Sequence, residues 1–424
     1  MSLALLVISF FLLLILGVPV SFGLIASGLV YMGFSGYPIT LLTQRMFEGM
    51  NSFALLAVPF FVLTGRFMAE GPLLETLIDW VNSLFGHIRG ALSIICIATC
   101  LFMGSIVGIA VAQIVAIGSF LIPMMKKEGY SAAYAGGVTV AGSVLGPIMP
   151  PGVLMIIYCL AVGSTSITGL FLAAVIPALL LCVMLMVVAH FIARKRNYPT
   201  YSKSTWSERL KFTKKALPTI LLPVIILGGI FGSVFTVTEA SAIAALYSFI
   251  LTTFVYKAIK WSDLPRIFKE AAWNTGIVLL LGGAATVASW AIANEQVVFQ
   301  VAALLSNVSN WVFLLGLNVF LLINGCFMDD YPSVLIWGPI IAPIAIQMGI
   351  DPLHIGLIIC FNLVVGLITP PVGISLFVTA PLAGVTMDAL VKETIPFYLV
   401  CVAFLFIVTY VPQLCLFLPR LVGY

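Results

Sequence analysis

Apolar residues run along this chain in long blocks. Neither the period-two alternation of half-buried strands nor the one-sided stripe of a soluble amphipathic helix dominates. About 20 apolar residues cross a bilayer as a helix, so the blocks 2–16, 18–36, 52–69, 168–193, 217–235, 238–256, 274–293 and 394–418 read as spans. Two more blocks, Ser131 to Gly163 and Pro352 to Ala380, have spanning length but are interrupted midway. The interruptions are Gly146-Pro147-Ile148-Met149-Pro150-Pro151-Gly152 and Gly366-Leu367-Ile368-Thr369-Pro370-Pro371-Val372-Gly373, composed of residues that bend or break a helix. Ahead of each lies an apolar block with small or polar residues at its centre. Ile88 to Lys127 turns at Met103–Gly108, and Asn310 to Met348 turns at Asn324–Met328. Both read as re-entrant hairpins, because their arms are short for full crossings and no charged loop separates them; paired short crossings are the alternative. The segments 70–86, 257–273 and 294–309 mix charge with apolar residues and are expected to lie along the interface.

The interruptions belong to an internal repeat. A shift of 220 residues aligns 104–151 with 324–371 without gaps, matching Gly118, Gly129, Gly136, Gly146, Pro123, Pro150 and Pro151 with Gly338, Gly349, Gly356, Gly366, Pro343, Pro370 and Pro371. At frequencies of about 7% Gly and 5% Pro, chance would supply less than one such coincidence. A repeat that keeps glycine and proline while other side chains drift preserves a backbone shape. Non-helical backbone at membrane depth is tolerated only where protein buries it or it lines a cavity, so matched breaks in two halves point to a midplane binding site.

Composition narrows the class. Of 424 residues 62% are hydrophobic and 8% charged, too few charges to cover a water-facing surface. That excludes a soluble enzyme, and the continuous runs exclude an outer-membrane barrel; nothing supports nucleic-acid binding. The eight cysteines fall almost entirely inside apolar runs without a Cys-x-x-Cys pair and read as small buried hydrophobes. The apolar start, with no basic region and no small-residue cleavage pattern before Gly17, argues against a removed signal peptide. The net charge of +4 is uninformative, but the placement of basic residues is not. Clusters at Arg194–Lys215 and Lys257–Lys269 mark cytoplasmic loops, and threading the spans from them leaves only Arg45 and Arg420 of the 19 basic residues outside.

The expected fold is therefore an all-α polytopic membrane protein of two inverted-topology repeats, 1–196 and 217–424, joined by a basic cytoplasmic linker, 197–216. Each repeat has five transmembrane helices, one of them broken, plus a re-entrant hairpin; an odd number of crossings inverts the second half relative to the first. Each hairpin tip faces its own broken helix, so carbonyls and helix ends converge in two cages. The first is expected to comprise Met103, Gly104, Ser105, Ile106, Gly146, Met149 and Pro150, the second Ile323, Asn324, Gly325, Cys326, Gly366, Thr369 and Pro370. Neutral oxygens suit Na⁺, whereas Mg²⁺ or Ca²⁺ recruit carboxylates. A break can also be a mere kink, but two matched breaks behind two hairpins favour binding. Free N–H groups at the broken-helix N-termini favour an anionic solute, with Ser105, Asn324, Asp329 and Thr369 the polar side chains expected to meet it. Asp329 reads equally as a cap of the hairpin's second arm, and Glu239 in Thr236-Val237-Thr238-Glu239 as a cap. His87, His190 and His354 sit at predicted membrane edges and form no ligand pair, and no Walker motif is present.

Asp351-Pro352-Leu353-His354-Ile355-Gly356, Asn362 and Gly366-Leu367-Ile368-Thr369-Pro370-Pro371-Val372-Gly373 resemble the large membrane subunit of tripartite ATP-independent periplasmic (TRAP) transporters. The likeness extends through Phe327-Met328-Asp329, Ile122-Pro123-Met124, Gly129-Tyr130, Leu145-Gly146, Pro150-Pro151 and Thr236 to Ala240, and so covers essentially the whole chain. It departs at the first tip, where the family often carries Ser-Gly-Ser-Ser and Met103-Gly104-Ser105-Ile106 keeps only Gly104 and Ser105. The resemblance implies a Na⁺-coupled importer of an organic acid anion in a bacterial inner membrane, moving by an elevator mechanism. The acid could be a sialic acid, a C4-dicarboxylate or a sulfonate. It also implies a periplasmic solute-binding protein and a small four-helix membrane subunit as partners. A self-sufficient divalent-anion/Na⁺ symporter of similar architecture is the alternative. A membrane enzyme would need a catalytic or metal-ligating pair within the spans, and none is legible.

Overall fold

A computed structural model describes residues 2–70, 72–200, 203–296, 300–301 and 308–424, so the expected interfacial segment 294–309 lies mostly outside the described residues. The described residues form helices and connecting turns. In the first half these are α1 (Ser2–Ile15), α2 (Val20–Ser35), α3 (Thr40–Met50), α4 (Ala57–Ala69), α5 (Leu73–Phe85), α6 (Ala91–Val107), α7 (Ala110–Lys127), α8 (Ala132–Ser143), α9 (Leu145–Ile148), α10 (Val153–Val162) and α11 (Ile167–Lys195). In the second they are α12 (Trp206–Phe231), α13 (Val237–Ile250), α14 (Leu264–Asn294), α15 (Asn310–Phe327), α16 (Asp330–Gln347), α17 (Pro352–Gly366), α18 (Ile374–Ala383), α19 (Met387–Tyr410) and α20 (Pro412–Val422). Seven helices are long and apolar enough to cross a membrane alone, and up to nine spans result if two bent pairs each count as one, among the described residues.

Both hairpins form where the small-residue turns placed them, as α6–α7 and α15–α16, and both interrupted blocks are broken helices, α8–α9/α10 and α17/α18. Pro150-Pro151 and Pro370-Pro371 are cis within the breaks. The packing repeats across the molecule: α7 lies on α18 as α10 lies on α16, and α8 lies on α19 as α11 lies on α17. The elements fall into two groups. An outer frame pairs α4 with α13, α3 and α2 with α14, and α5 with α12; an inner group holds the hairpins, the broken helices, α11, α19 and α20. The broken helices are its core, with every residue from Tyr134 to Ser143 and from His354 to Gly366 buried. The groups meet where α4 and α5 touch α6 and where α14 touches α16.

Several expectations are corrected. The segment 257–273 is not a separate interfacial helix: from Leu264 it continues without a break into the 31-residue α14, since Pro265 sits at the permissive first turn and nothing after it interrupts the ladder. The span 394–418 ends at Tyr410, where Pro412 cannot continue the helix and starts α20 instead. The helix α3, unassigned from sequence, precedes the 52–69 span at a bend of 58°. His354, two residues into α17, is buried, its ring nitrogen 2.9 Å from the Val408 carbonyl near the end of α19. Glu239 caps α13 as expected, in a reciprocal box with Thr236.

Ion pairs test the placement of charge. Arg66 of α4 reaches Glu270 at 3.1 Å, Arg266 reaches Glu70 at 2.7 Å and Glu270 at 3.3 Å, and Lys215 reaches Asp79 at 3.1 Å. Arg89 contacts Asn197 through its guanidinium and His190 through its carbonyl. Each contact joins stretches that charge counting had put on the cytoplasmic side.

Candidate ion and solute site

Two close backbone crossings define the site. At Gly104 of α6, an added Cβ would lie 3.1 Å from the Cα of Gly146, the carbonyl oxygen of Leu145 and the Cβ of Met149. In the second half a Cβ on Gly325 would lie 2.8 Å from the Cα of Gly366, and one on Gly366 would lie 2.5 Å from the Cα of Gly325. Only glycine permits such approach. The breaks correspond at a shift of 220, but the tips correspond at 221, because Gly325 and not Asn324 occupies the place of Gly104. The ungapped repeat therefore slips by one residue at the hairpin tip.

The second crossing is latched. Gly373 donates its N–H to the Cys326 carbonyl at 3.1 Å, and the Cys326 thiol donates to the Thr369 carbonyl at 3.3 Å. Gly373 has φ +46°, and an added Cβ would sit 2.9 Å from the carbonyl oxygens of both Leu367 and Thr369, so those oxygens converge there. The Thr369 hydroxyl donates back to Val365 at 2.9 Å. Asn324 points between the hairpin arms, its amide donating to Ser333 at 2.7 Å and accepting from the Trp337 indole at 2.9 Å. The Ile323 side chain is largely exposed, which leaves its backbone as what it can offer the crossing. Asp329 caps α16, accepting the Asp330 N–H at 3.0 Å.

The first crossing is more open in its bonding. Among the described residues the carbonyls of Met149, Pro150 and Pro151 accept no hydrogen bond. The two prolines offer no N–H, and Val153 opens α10 without a side-chain cap. Gly108, at φ +63°, turns the tip with Pro151 O and Val153 N within 3.5 Å of where its Cβ would be. Ser105 is buried, and the Ile106 carbonyl faces Gly65 of α4, across the boundary between the two groups of helices. Behind Gly146 lies Gln113 of α7, fully buried, which sequence reading passed over; one amide in an apolar run was its only signal.

A cavity of about 720 Å³ opens beside this crossing, lined by Met103, Val107, Ile109, Val153 and Tyr331 from the inner group and by Gly65, Arg66, Glu75, Asn274 and Val278 from the frame. Arg66 and Glu75 on its wall belong to the stretches that the charge pattern assigns to the cytoplasmic side. A smaller cavity, about 240 Å³, lies along the same boundary between α10, α16, α3 and α14, with Glu48, Ser52, Thr286 and Ser289 on its wall. Val278 lines both.

Broken helices, re-entrant tips and a chamber on one side define a secondary transporter of the inverted-repeat, elevator-type fold. Two solved structures share the architecture: the Alcanivorax borkumensis YdaH transporter, at TM-score 0.62 and 16% identity over 91% of this chain and 88% of that one, and Neisseria gonorrhoeae MtrF, at 0.60 and 13% over 89% and 84%. The chain belongs to the family described as the tripartite ATP-independent periplasmic transporter, DctM component, which matches residues 7–414. Its relatives include a C4-dicarboxylate TRAP transporter large permease protein of Pseudomonas aeruginosa, 38% identical over 94% of both chains, and a sialic acid TRAP transporter large permease protein of Vibrio cholerae, 38% identical over 97% of both. An isethionate TRAP transporter permease protein of Oleidesulfovibrio alaskensis is 33% identical over 96% of this chain and 65% of its own length. The protein is thus a multi-pass inner-membrane transporter and not an enzyme, and its family is one of tripartite, ATP-independent systems.

Proposed function

We propose that this chain imports an organic acid anion, a carboxylate or a sulfonate, by coupling to Na⁺. A periplasmic binding protein delivers the solute, and a small four-helix membrane subunit completes the frame. The observation that carries the reading is the pair of crossings at Gly104–Gly146 and Gly325–Gly366, where unwound backbone presents oxygens without formal charge. Carbonyl cages suit a monovalent metal ion, and the nearest carboxylates, Asp329 and Asp330, follow the second tip as the cap and first turn of α16. The acid class follows the relatives, whose solutes include C4-dicarboxylate, sialic acid and isethionate. In this reading 1–196 and 217–424 are the inverted repeats and 197–216 their linker. Met103, Gly104, Ser105, Ile106, Gly146, Met149 and Pro150 hold one ion; Ile323, Asn324, Gly325, Cys326, Gly366, Thr369 and Pro370 hold the other. The bonding narrows the side-chain donors: Asn324 is committed to Ser333 and Trp337, so it acts through backbone, while Ser105, Asp329 and Thr369 remain beside the solute path.

The test is uptake of labelled acid by proteoliposomes carrying the three components, with an imposed Na⁺ or H⁺ gradient. Uptake should follow Na⁺ and require the binding protein, and Ser105→Ala and Thr369→Ala should each weaken its Na⁺ dependence. Uptake driven by H⁺ in Na⁺-free buffer would overturn the coupling ion, and full uptake without the binding protein would select the self-sufficient symporter.

A further inference from the structure

We propose that the side-chain carbonyl of Gln113 is a ligand of the cation at the first crossing, adding a side-chain oxygen at a tip that keeps a single serine, Ser105. The inference rests on reading that crossing as a Na⁺ cage. Gln113 is fully buried, and its Nε2 donates to the Cys100 carbonyl at 3.1 Å, tying the two arms of the hairpin together. Its Oε1 is buried without a hydrogen-bond partner. The amide lies against the crossing: a Cβ on Gly146 would lie 2.6 Å from Oε1, 2.7 Å from the amide carbon and 2.9 Å from Nε2, and Gly146 is the residue against which Gly104 closes. Turning the amide over does not remove the problem, since it would set Oε1 against the Cys100 carbonyl, acceptor against acceptor.

Buried amide oxygens in folded proteins almost always have a donor. The break that contains Gly146 is rich in acceptors and poor in donors: Met149, Pro150 and Pro151 offer carbonyls that accept nothing among the described residues, and the prolines have no N–H to give. A cation satisfies several such oxygens at once. No carboxylate belongs to the first crossing, which favours a monovalent ion over a divalent one.

The second crossing shows the contrast. The 220 shift carries Gln113 to Ser333, and there the amide comes from the other arm, Asn324, with both ends bonded. Its tip and break are already joined through Cys326, Thr369 and Gly373. The two cages thus differ in kind, one completed by a free side-chain oxygen and the other by backbone and the latch. Residue 113 sets the Na⁺ affinity of the first alone.

Gln113→Met keeps the length and bulk of the side chain and removes the oxygen; Gln113→Glu likewise loses the amide donor to the Cys100 carbonyl but keeps an oxygen, and when protonated restores a donor. Na⁺ titrations of uptake by the three-component proteoliposomes should show half-saturating Na⁺ raised about tenfold in Gln113→Met, with the maximal rate largely retained, and a smaller rise in Gln113→Glu, which keeps the oxygen. The Na⁺-dependent rise in melting temperature of the purified chain should shrink in parallel in Gln113→Met, a reading that needs no transport. A Gln113→Met protein with wild-type half-saturation and melting shift, beside a Na⁺-dependent wild type, overturns the role of Gln113 and leaves the cage reading standing. A wild type indifferent to Na⁺ overturns both.

Discussion

Gly366 shows how far a single missing side chain can organise this molecule. Its Cα faces that of Gly325, and a methyl group there would meet backbone on a neighbouring element and not the movable end of a side chain. Overpacking of that kind costs about 1–3 kcal/mol even where side chains can yield, and here they cannot. Gly366→Ala should therefore lower the apparent melting temperature of the detergent-purified protein and abolish uptake. Gly228→Ala, whose methyl would meet nothing within 4 Å, should leave both unchanged; equal behaviour of the two variants would refute the crossing. These glycines were legible because a repeat kept them at fixed spacing. Gln113 was not, because an amide inside an apolar run looks alike whether its oxygen is bonded or free, and only the packed structure shows that no donor reaches it. Asn324 misled in the opposite sense: a polar residue at a tip, it proves to be spent on Ser333 and Trp337.

Among the elements, hairpins and broken helices were readable because glycine and proline mark them directly, whereas the frame was less so. Charge near 257–273 suggested an interfacial segment, but two of its charged residues, Arg266 and Glu270, pair with Glu70 and Arg66 while the helix continues as α14. Hydrophobicity alone does not say where a helix stops; a missing breaker does. The resulting α14 borders both cavities, with Val278 between them, and so forms the wall along which a solute site would travel. Val278→Trp would push an indole into the larger cavity, which has room for it, so the fold should survive. The maximal uptake rate should fall sharply while solute binding to the periplasmic protein is unaffected. Normal uptake in that variant, purified in normal yield, would show that the solute does not pass beside α14.

At the scale of the whole molecule, the boundary between the frame and the inner group makes a prediction about motion. The frame touches the first hairpin tip at Gly65 of α4, where an added Cβ would sit 3.5 Å from the Cα of Val107 and 3.7 Å from its Cγ2. These are ordinary contacts, so cysteine fits at 65, and the spacing is close to the roughly 3.5–4.5 Å between Cβ atoms that a disulfide requires. If the inner group carries solute past a fixed frame, Gly65→Cys with Val107→Cys should transport when reduced, lose uptake on oxidation and regain it with a reductant. The eight native cysteines are all buried, which directs the oxidant to the engineered pair, and the single variants control for the remainder. Neither single variant should respond to oxidation. A gel that shows the cross-link complete while uptake continues at the wild-type rate would mean that α4 and the tip travel together, and the boundary between frame and carrier would have to be redrawn elsewhere.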